Sequence, residues 1–375
     1  MNIYVDGTPL VRKRDGIGQL TKELLINTAL LMPNDVFKVL VFKNDPPTKN
    51  EFPSNISFKV LPLNRRLYTA VFKLFRPLAI NKYLDETPDL VIYPNFVTYP
   101  FIDGVRSLVF VYDLVFIDMP EAVEKKNLKY LTKFINWSVG RGAELIAISS
   151  YFKNELSRIY RLPCSSVHQI RPGVESPRKY DSETETKVLE GLGLKPDYIL
   201  FVGTLQPGKN ISKLIEAFTR LPKEIKQQHP LVLVGAMGWK SDGIRQQLEA
   251  AIQNGESIRH LGYTDDDTVN ILYKNAILFV FPSLYEGFGL PVLEAMSYGA
   301  PVLSSKNTGL IDAAGDAAFE VAPGSVESIA SGMQRILEEP KLRQELISKG
   351  TDHYKQLSWK RTGQDMREII EKAIK

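Results

Sequence analysis

Short apolar runs bounded by glycine, proline or polar residues recur along this chain, with helical stretches between many of them. One series comprises Asn2–Asp6, Phe37–Phe42, Leu90–Tyr93, Leu108–Val111 and Leu145–Ile148. A second comprises Tyr198–Val202, Leu231–Val234, Ser257–Leu261, Leu278–Phe281 and Pro301–Ser304. Runs this short, apolar on both faces, predict buried parallel strands. Helices are predicted at Gly18–Met32, Asn127–Val139, Ile211–Thr219, Ile244–Gln253, Asp266–Lys274 and Pro291–Gly299, and amphipathic ones at Ser325–Leu337, Pro340–Gly350 and Ser358–Lys375. The alternation restricts the chain to α/β architecture with parallel sheets.

The stretch Arg171–Leu194 separates the two series. It holds RPGVESPRKYDSETETK, rich in proline and charge, and reads as a connector. The expected organisation is an N-terminal domain over 1–172, a linker over 173–194, a C-terminal domain over 195–357 and a final helix over 358–375. Two doubly wound domains joined in this way would place a cleft between their strand C-termini, where such sheets bind ligands.

Composition narrows the chemistry. Cys164 is the only cysteine, which excludes intrachain disulfides and cysteine-based metal sites, and the four histidines show no HxH or HxxxH spacing. No segment approaches about 18 uninterrupted apolar residues, and MNIYVDG reads as a first strand, so a cytoplasmic protein is expected. Residues 1–172 carry 23 Lys and Arg against 16 Asp and Glu, whereas the remainder carries 24 against 27. A basic N-terminal half fits an anionic partner (membrane, nucleic acid or phosphorylated substrate) or simply a solvated surface.

Three glycine-bearing loops lead from a strand into a helix. In the first, Asp15-Gly16-Ile17-Gly18-Gln19-Leu20-Thr21, Gly16 and Gly18 would let an anion approach the backbone. The dinucleotide fingerprint is incomplete, because Thr21 holds the third glycine position and no acid follows Val41-Phe42-Lys43. In the second, Gly203-Thr204-Leu205-Gln206-Pro207-Gly208-Lys209-Asn210, Lys209 opposes the dipole of the helix it precedes unless an anion binds there. The third is Pro282-Ser283-Leu284-Tyr285-Glu286-Gly287-Phe288-Gly289-Leu290-Pro291-Val292-Leu293-Glu294. Pro291 suits a first helical turn, and N–H groups around Phe288–Val292 would be available to phosphate or sugar oxygens. Glu286 and Glu294 would repel a diphosphate. They fit as acceptors for neutral sugar and ribose hydroxyls while Lys209 offsets the phosphate charge.

Glu286 and Glu294, with seven residues between them, resemble the E-x7-E motif of retaining GT-B glycosyltransferases of family 4. The Gly16-Ile17-Gly18 entry, VGTLQPGKN, GYTDDDTVNILYKNA (Gly262–Ala276), PSLYEGFGLPVLEAMSYGAPV and GLIDAAGDAA (Gly309–Ala318) resemble its mannosyltransferase-like branch, in order along nearly the whole chain. The resemblance implies two Rossmann-like domains facing a cleft, nucleotide sugar on the C-terminal one, acceptor mainly on the N-terminal one, and a last helix crossing back. Carried onto matching positions, Lys209 would bind the diphosphate. Glu286 and the backbone of Phe288, Gly289 and Leu290 would hold donor sugar or phosphate, and Glu294 the ribose. Gly16 and Gly18 would border the phosphates, with Gly203 and Thr204 at the donor loop. Two departures stand out. Tyr112, before Asp113, occupies a place where relatives often have histidine, and Gly208 one where they often have arginine, for which Arg14 or Arg171 could substitute.

The function implied is transfer of a sugar, mannose favoured, from a nucleotide-diphosphate sugar such as GDP-mannose to a hydroxyl of a glycan or lipid-linked acceptor, with retention and with no metal required. Asp113 would orient the acceptor hydroxyl. A non-catalytic nucleotide-sugar-binding protein and a GT-B sugar-nucleotide epimerase remain alternatives. Finally, Asn64–Leu84 reads as a helix with Leu67, Val71, Leu74, Phe75 and Leu78 on its core face. Arg65, Arg66, Lys73 and Arg76 gather on the other, near Phe72, Ile80 and Tyr83, with Pro77 dividing the helix. With Lys125, Lys126, Lys129 and Lys133 that face suits an anionic membrane surface.

Overall fold

In a computed structural model of the chain, residues 1–11, 16–45, 52–74, 78–120 and 123–374 are described, the side chain of Leu74 excepted. Expectations placed on Arg14, Asp15, Phe75, Arg76, Pro77 and the Leu74 side chain fall outside them. The chain divides into two compact units, Met1–Gly173 with Ser358–Lys375, and Val174–Leu357.

The first unit runs β1 (Asn2–Asp6), α1 (Gly16–Leu31), β2 (Val36–Phe42), β3 (Ile56–Leu61), α2 (Arg65–Leu74), β4 (Leu90–Tyr93), β5 (Ser107–Val111), α3 (Val115–Asp118), α4 (Lys125–Gly140), β6 (Glu144–Ala147), α5 (Ser150–Tyr160) and β7 (Val167–Gln169). Its strands form one parallel sheet in the order β3-β2-β1-β4-β5-β6-β7. The central strands β1, β4 and β5 are buried along their apolar runs, with only the first residues of β1 and β5, Asn2 and Ser107, partly exposed.

The second unit runs α6 (Ser182–Gly191), β8 (Tyr198–Val202), α7 (Ile211–Thr219), α8 (Lys223–Gln228), β9 (Leu231–Val234), α9 (Asp242–Gln253), β10 (Ile258–Gly262), α10 (Asp266–Lys274), β11 (Ala276–Phe281), α11 (Leu290–Ser297), β12 (Val302–Ser305), α12 (Leu310–Ala314), β13 (Ala318–Val321), α13 (Val326–Glu338) and α14 (Pro340–Lys355). Its sheet is parallel in the order β10-β9-β8-β11-β12-β13. In both sheets the strand order reverses beside the first strand, at β1/β4 and at β8/β11. Each is a doubly wound Rossmann-like sheet with its switch point there. The chain then returns to the first unit as α15 (Trp359–Ile374). Helix α15 packs on α1, where Gly363 lies so close to the Asn27 backbone that an added Cβ would meet it at 2.8 Å. The Thr362 hydroxyl donates to the Arg171 carbonyl at 2.9 Å.

Two expectations are corrected. The stretch 173–194 is not a free connector, since most of it belongs to the second unit and carries α6. Asp181 caps that helix by accepting from the Thr184 N–H, and Glu183 and Glu185 favour its first-turn dipole. The charge that suggested a linker is a helix start.

The helical wheel of α2 is also reversed. Leu67 is 67% exposed and Leu78 is exposed, while Phe72 is 0% exposed and Ile80 is buried. Phe72 stacks on Phe134 at 4.7 Å and meets Tyr99 edge-on at 5.1 Å. The Tyr68 hydroxyl donates to the Leu78 carbonyl at 2.8 Å. The aromatic side chains offer more apolar area than Leu67, and they take the core. Arg65 is engaged by Asp45 at 2.9 Å, and Tyr83 is half-buried beneath Lys82.

Candidate functional site in the second unit

The loops following β8 and β11 leave neighbouring strands at the switch point of the second sheet. They are tied together directly: the Leu284 N–H donates to the Gly208 carbonyl at 2.9 Å, and the Asn210 amide donates to the carbonyls of Pro282 and Pro323 at 3.0 and 2.8 Å. Asn210 takes a left-handed conformation, φ 61°, which asparagine tolerates better than most residues. This clasp ends the 3-10 turn Pro207–Lys209 and starts α7.

The clasp brings Lys209 and Glu286 together across 77 residues of sequence. The Lys209 ammonium donates to both carboxylate oxygens of Glu286, at 2.6 and 2.7 Å, and lies 5.3 Å from the centre of the Phe281 ring. Only 19% and 11% of the two side chains face solvent, so the pair is well shielded from screening. The anion that Lys209 needs at a helix start is Glu286.

Glycines let the Glu286 loop lie against the loop after β12. The Gly309 N–H donates to the Glu286 carbonyl at 3.0 Å, and a Cβ on Gly309 would stand 2.0 Å from the Gly287 carbonyl oxygen. Gly289, at φ 108°, precedes α11 with its Cβ position against Leu310. The Thr308 hydroxyl accepts from the Glu286 N–H at 3.0 Å, and the Asn307 amide donates to the carbonyls of Ser283 and Leu284 at 3.0 and 2.9 Å. The sequence reading did not single out Asn307, Thr308 or Asn210. The detectable sign was Thr308-Gly309 just past a predicted strand, a turn with room for close backbone approach.

Pro291 occupies the first turn of α11, and the Val292 N–H already donates to the Gly289 carbonyl at 3.0 Å. That removes Val292 from the expected set of available N–H groups around Phe288–Val292. Phe288 buries its ring, which leaves only its backbone to serve a ligand. Gly203, at φ 152°, and exposed Thr204 lie at the end of β8. The closest approach there is made by Gly235, whose Cβ would stand 2.1 Å from the Gly203 carbonyl oxygen.

Glu294 lies midway along α11, half-buried, with its Oε2 accepting from the Tyr273 hydroxyl at 3.0 Å. Burial raises its pKa above the usual carboxylate range. The Tyr273 hydrogen bond opposes that shift, and the charges of Asp266 and Glu175 reinforce it.

The remaining candidates belong to the first unit. Tyr112 is buried and its hydroxyl donates to the Pro94 carbonyl at 2.7 Å. Asp113 is half-buried and accepts from the Val115 N–H at 3.1 Å. Gly16 opens α1 at the surface and Gly18, two residues on, is buried. Asp6 is buried at the end of β1 and accepts from the N–H and hydroxyl of Thr8, both at 2.9 Å. Among the described residues no group of three His, Cys, Asp or Glu side chains could hold a metal ion.

Comparison with known proteins agrees with this geometry. The family model described as "Glycosyl transferases group 1" matches residues 182–353. Over 370 residues the chain is 30% identical to the O-antigen chain mannosyltransferase B of Escherichia coli, covering 96% of each. Two crystal structures share its fold over 99% of each chain. WaaG, a glycosyltransferase involved in lipopolysaccharide biosynthesis, has a TM-score of 0.72 at 16% identity, and Anabaena HepE in complex with UDP-glucose has 0.72 at 17%. With two Rossmann-like units of the GT-B class and a relative matched from end to end, the chain belongs to the group 1 (family 4) glycosyltransferases.

Proposed function

We propose that this glycosyltransferase is a retaining enzyme of polysaccharide synthesis that moves mannose from GDP-mannose to a hydroxyl of a glycan or lipid-linked acceptor. The observation that carries the reading is the Lys209–Glu286 pair, held at the switch point beside the first turn of α11. A sugar diphosphate offers each partner a better match. Its phosphate oxygens draw Lys209 and the unpaired N–H groups at the start of α11, including those of Phe288, Gly289 and Leu290. Glu286 is then released to accept hydrogen bonds from the sugar hydroxyls. Glu294 receives the ribose diol. Mannose is favoured by the end-to-end match to an enzyme named a mannosyltransferase, and GDP by the resemblance to the mannosyltransferase-like branch.

In the reaction the bond from the sugar C1 to the diphosphate oxygen breaks while the acceptor oxygen bonds to C1 on the same face. The departing diphosphate takes the acceptor proton. Negative charge grows on the leaving group, and Lys209 with the helix end stabilises it without requiring a metal ion. Asp113 orients the acceptor hydroxyl, and Tyr112 borders the sugar.

A panel of GDP-, UDP- and dTDP-linked sugars, scored by thermal shift and then by turnover, tests the assignment. GDP-mannose should stabilise the protein most and yield a product with the donor's anomeric configuration by NMR. Preference for a UDP sugar, or an inverted product, would overturn it. A new nucleotide sugar formed without acceptor would identify an epimerase, and binding without turnover a non-catalytic protein.

For location, the proposal is the cytoplasmic face of an anionic membrane. Arg66, Lys73, Lys125, Lys126, Lys129 and Lys133 are exposed on α2 and α4, alongside exposed Leu67. Among the described residues no helix is long and apolar enough to cross a membrane. Salt-sensitive co-sedimentation with anionic but not neutral vesicles is expected, and equal binding to both would defeat the electrostatic part.

A further inference from the structure

Tyr273 contacts Glu294 from a position that nothing in the mechanism above uses. It lies on α10, 1% exposed, with its ring held edge-on by Phe279 at 5.4 Å and stacked by Tyr298 at 6.3 Å and 14°. Tyr298 is itself anchored, because its hydroxyl accepts from the Arg178 N–H at 2.9 Å. The Tyr273 hydroxyl is therefore a fixed donor, and it spends itself on Oε2 of Glu294. A carboxylate has about four acceptor positions, so one such bond leaves Oε1 and a remaining lone pair for a ligand. It also restricts the rotation of a side chain that would otherwise sample several rotamers.

We propose that Tyr273 is a positioning residue for nucleotide-sugar recognition, holding Glu294 in the one orientation in which its carboxylate accepts from both hydroxyls of a ribose diol. The proposal rests on the reading of Glu294 as the ribose ligand. Electrostatics point the same way. Burial, Asp266 on α10 and Glu175 ahead of α6 all disfavour the charged carboxylate, and the Tyr273 hydrogen bond favours it. Without that hydroxyl, Glu294 would take up a proton at higher pH and lose half of its acceptor capacity.

The test compares GDP with 2′,3′-dideoxy-GDP by titration calorimetry on the full chain, across a range of pH. Wild type should bind GDP more tightly than the dideoxy analogue. Tyr273→Phe, which keeps the ring stack, should weaken GDP about tenfold and leave the analogue unchanged. Its discrimination should also fade at a higher pH than in wild type. Tyr273→Met fills similar volume without a donor and serves if the phenylalanine variant does not fold. Wild type that binds both nucleotides equally would overturn the ribose reading itself. Wild type that discriminates, with a folded Tyr273 variant discriminating equally at every pH, would overturn the role of Tyr273 alone.

Discussion

The two sheets share one winding rule, yet the polar residues at their strand ends are used differently. In the second unit the charged side chains meet partners from distant segments: Lys209 meets Glu286 across 77 residues, and Glu294 meets Tyr273 across 21. In the first unit Asp6 accepts from Thr8 and Asp113 from Val115, each two residues along, and the Tyr112 hydroxyl donates to the Pro94 carbonyl, 18 residues back. Long-range pairing fixes the distance between loops, which is what the proposed binding of a nucleotide-diphosphate sugar there calls for. Gly235, Gly289 and Gly309 press the loops of the second unit onto one another; in the first unit Gly7 also lies tightly against Val39 and the Leu40 carbonyl, and Gly16 meets no atom within 4 Å of its Cβ position.

Substitutions can break this contrast, and the largest effect should fall on the fold of the first unit. Phe72→Ala should cost about 3–5 kcal/mol in chemical denaturation, since it empties a fully buried aromatic site. A loss below about 1 kcal/mol would return Phe72 to the surface expected from the wheel. Lys209→Ala should lower kcat about 10²–10³-fold with little change in melting temperature, as expected when charge grows on the leaving group. Glu294→Ala should weaken the donor by about 1.5–3 kcal/mol in calorimetry, the loss of hydrogen bonds to a charged group. Because burial raises the Glu294 pKa, wild-type donor affinity should already decline at a pH above the usual carboxylate range as the solution is acidified. The smallest change is Tyr112→Phe, which removes the bond to Pro94 and should cost about 1 kcal/mol of stability while leaving donor affinity intact. A donor effect as large as that of Glu294→Ala would erase the contrast between the units.

The sheet order shows which parts of the fold were legible. All ten predicted strands are present, nine of them inside their sheets and the tenth, β10, at an edge. The strands absent from the sequence reading, β3, β7 and β13, are all edge strands. Ser57 and Lys59 interrupt β3, Lys59 reaching out to Asp85. β7 has three residues, and in β13 Glu320 pairs with Lys306. An edge strand is covered on fewer sides, so its apolar run is broken and the signal that marks central strands disappears. Lys209 and Glu286, which the fold brings together, were legible because charge beside a glycine turn at a helix start has few structural uses. Asn307, Thr308 and Tyr273 were not, because their roles arise only when the loops are brought together. The α2 wheel failed for a related reason: periodicity locates an apolar stripe, but Phe134 and Tyr99, distant in sequence, decide which stripe is covered.

The proposed exchange of Lys209 from Glu286 to the diphosphate is tested by one set of GDP titrations on wild type, Lys209→Ala and Glu286→Gln. Lys209→Ala should lose at least about tenfold in affinity, in line with a lost charge-assisted contact. Glu286→Gln, by freeing the ammonium, should bind GDP at least as tightly as wild type while transferring sugar poorly. GDP affinity unchanged in Lys209→Ala would place the diphosphate elsewhere and contradict the assigned site.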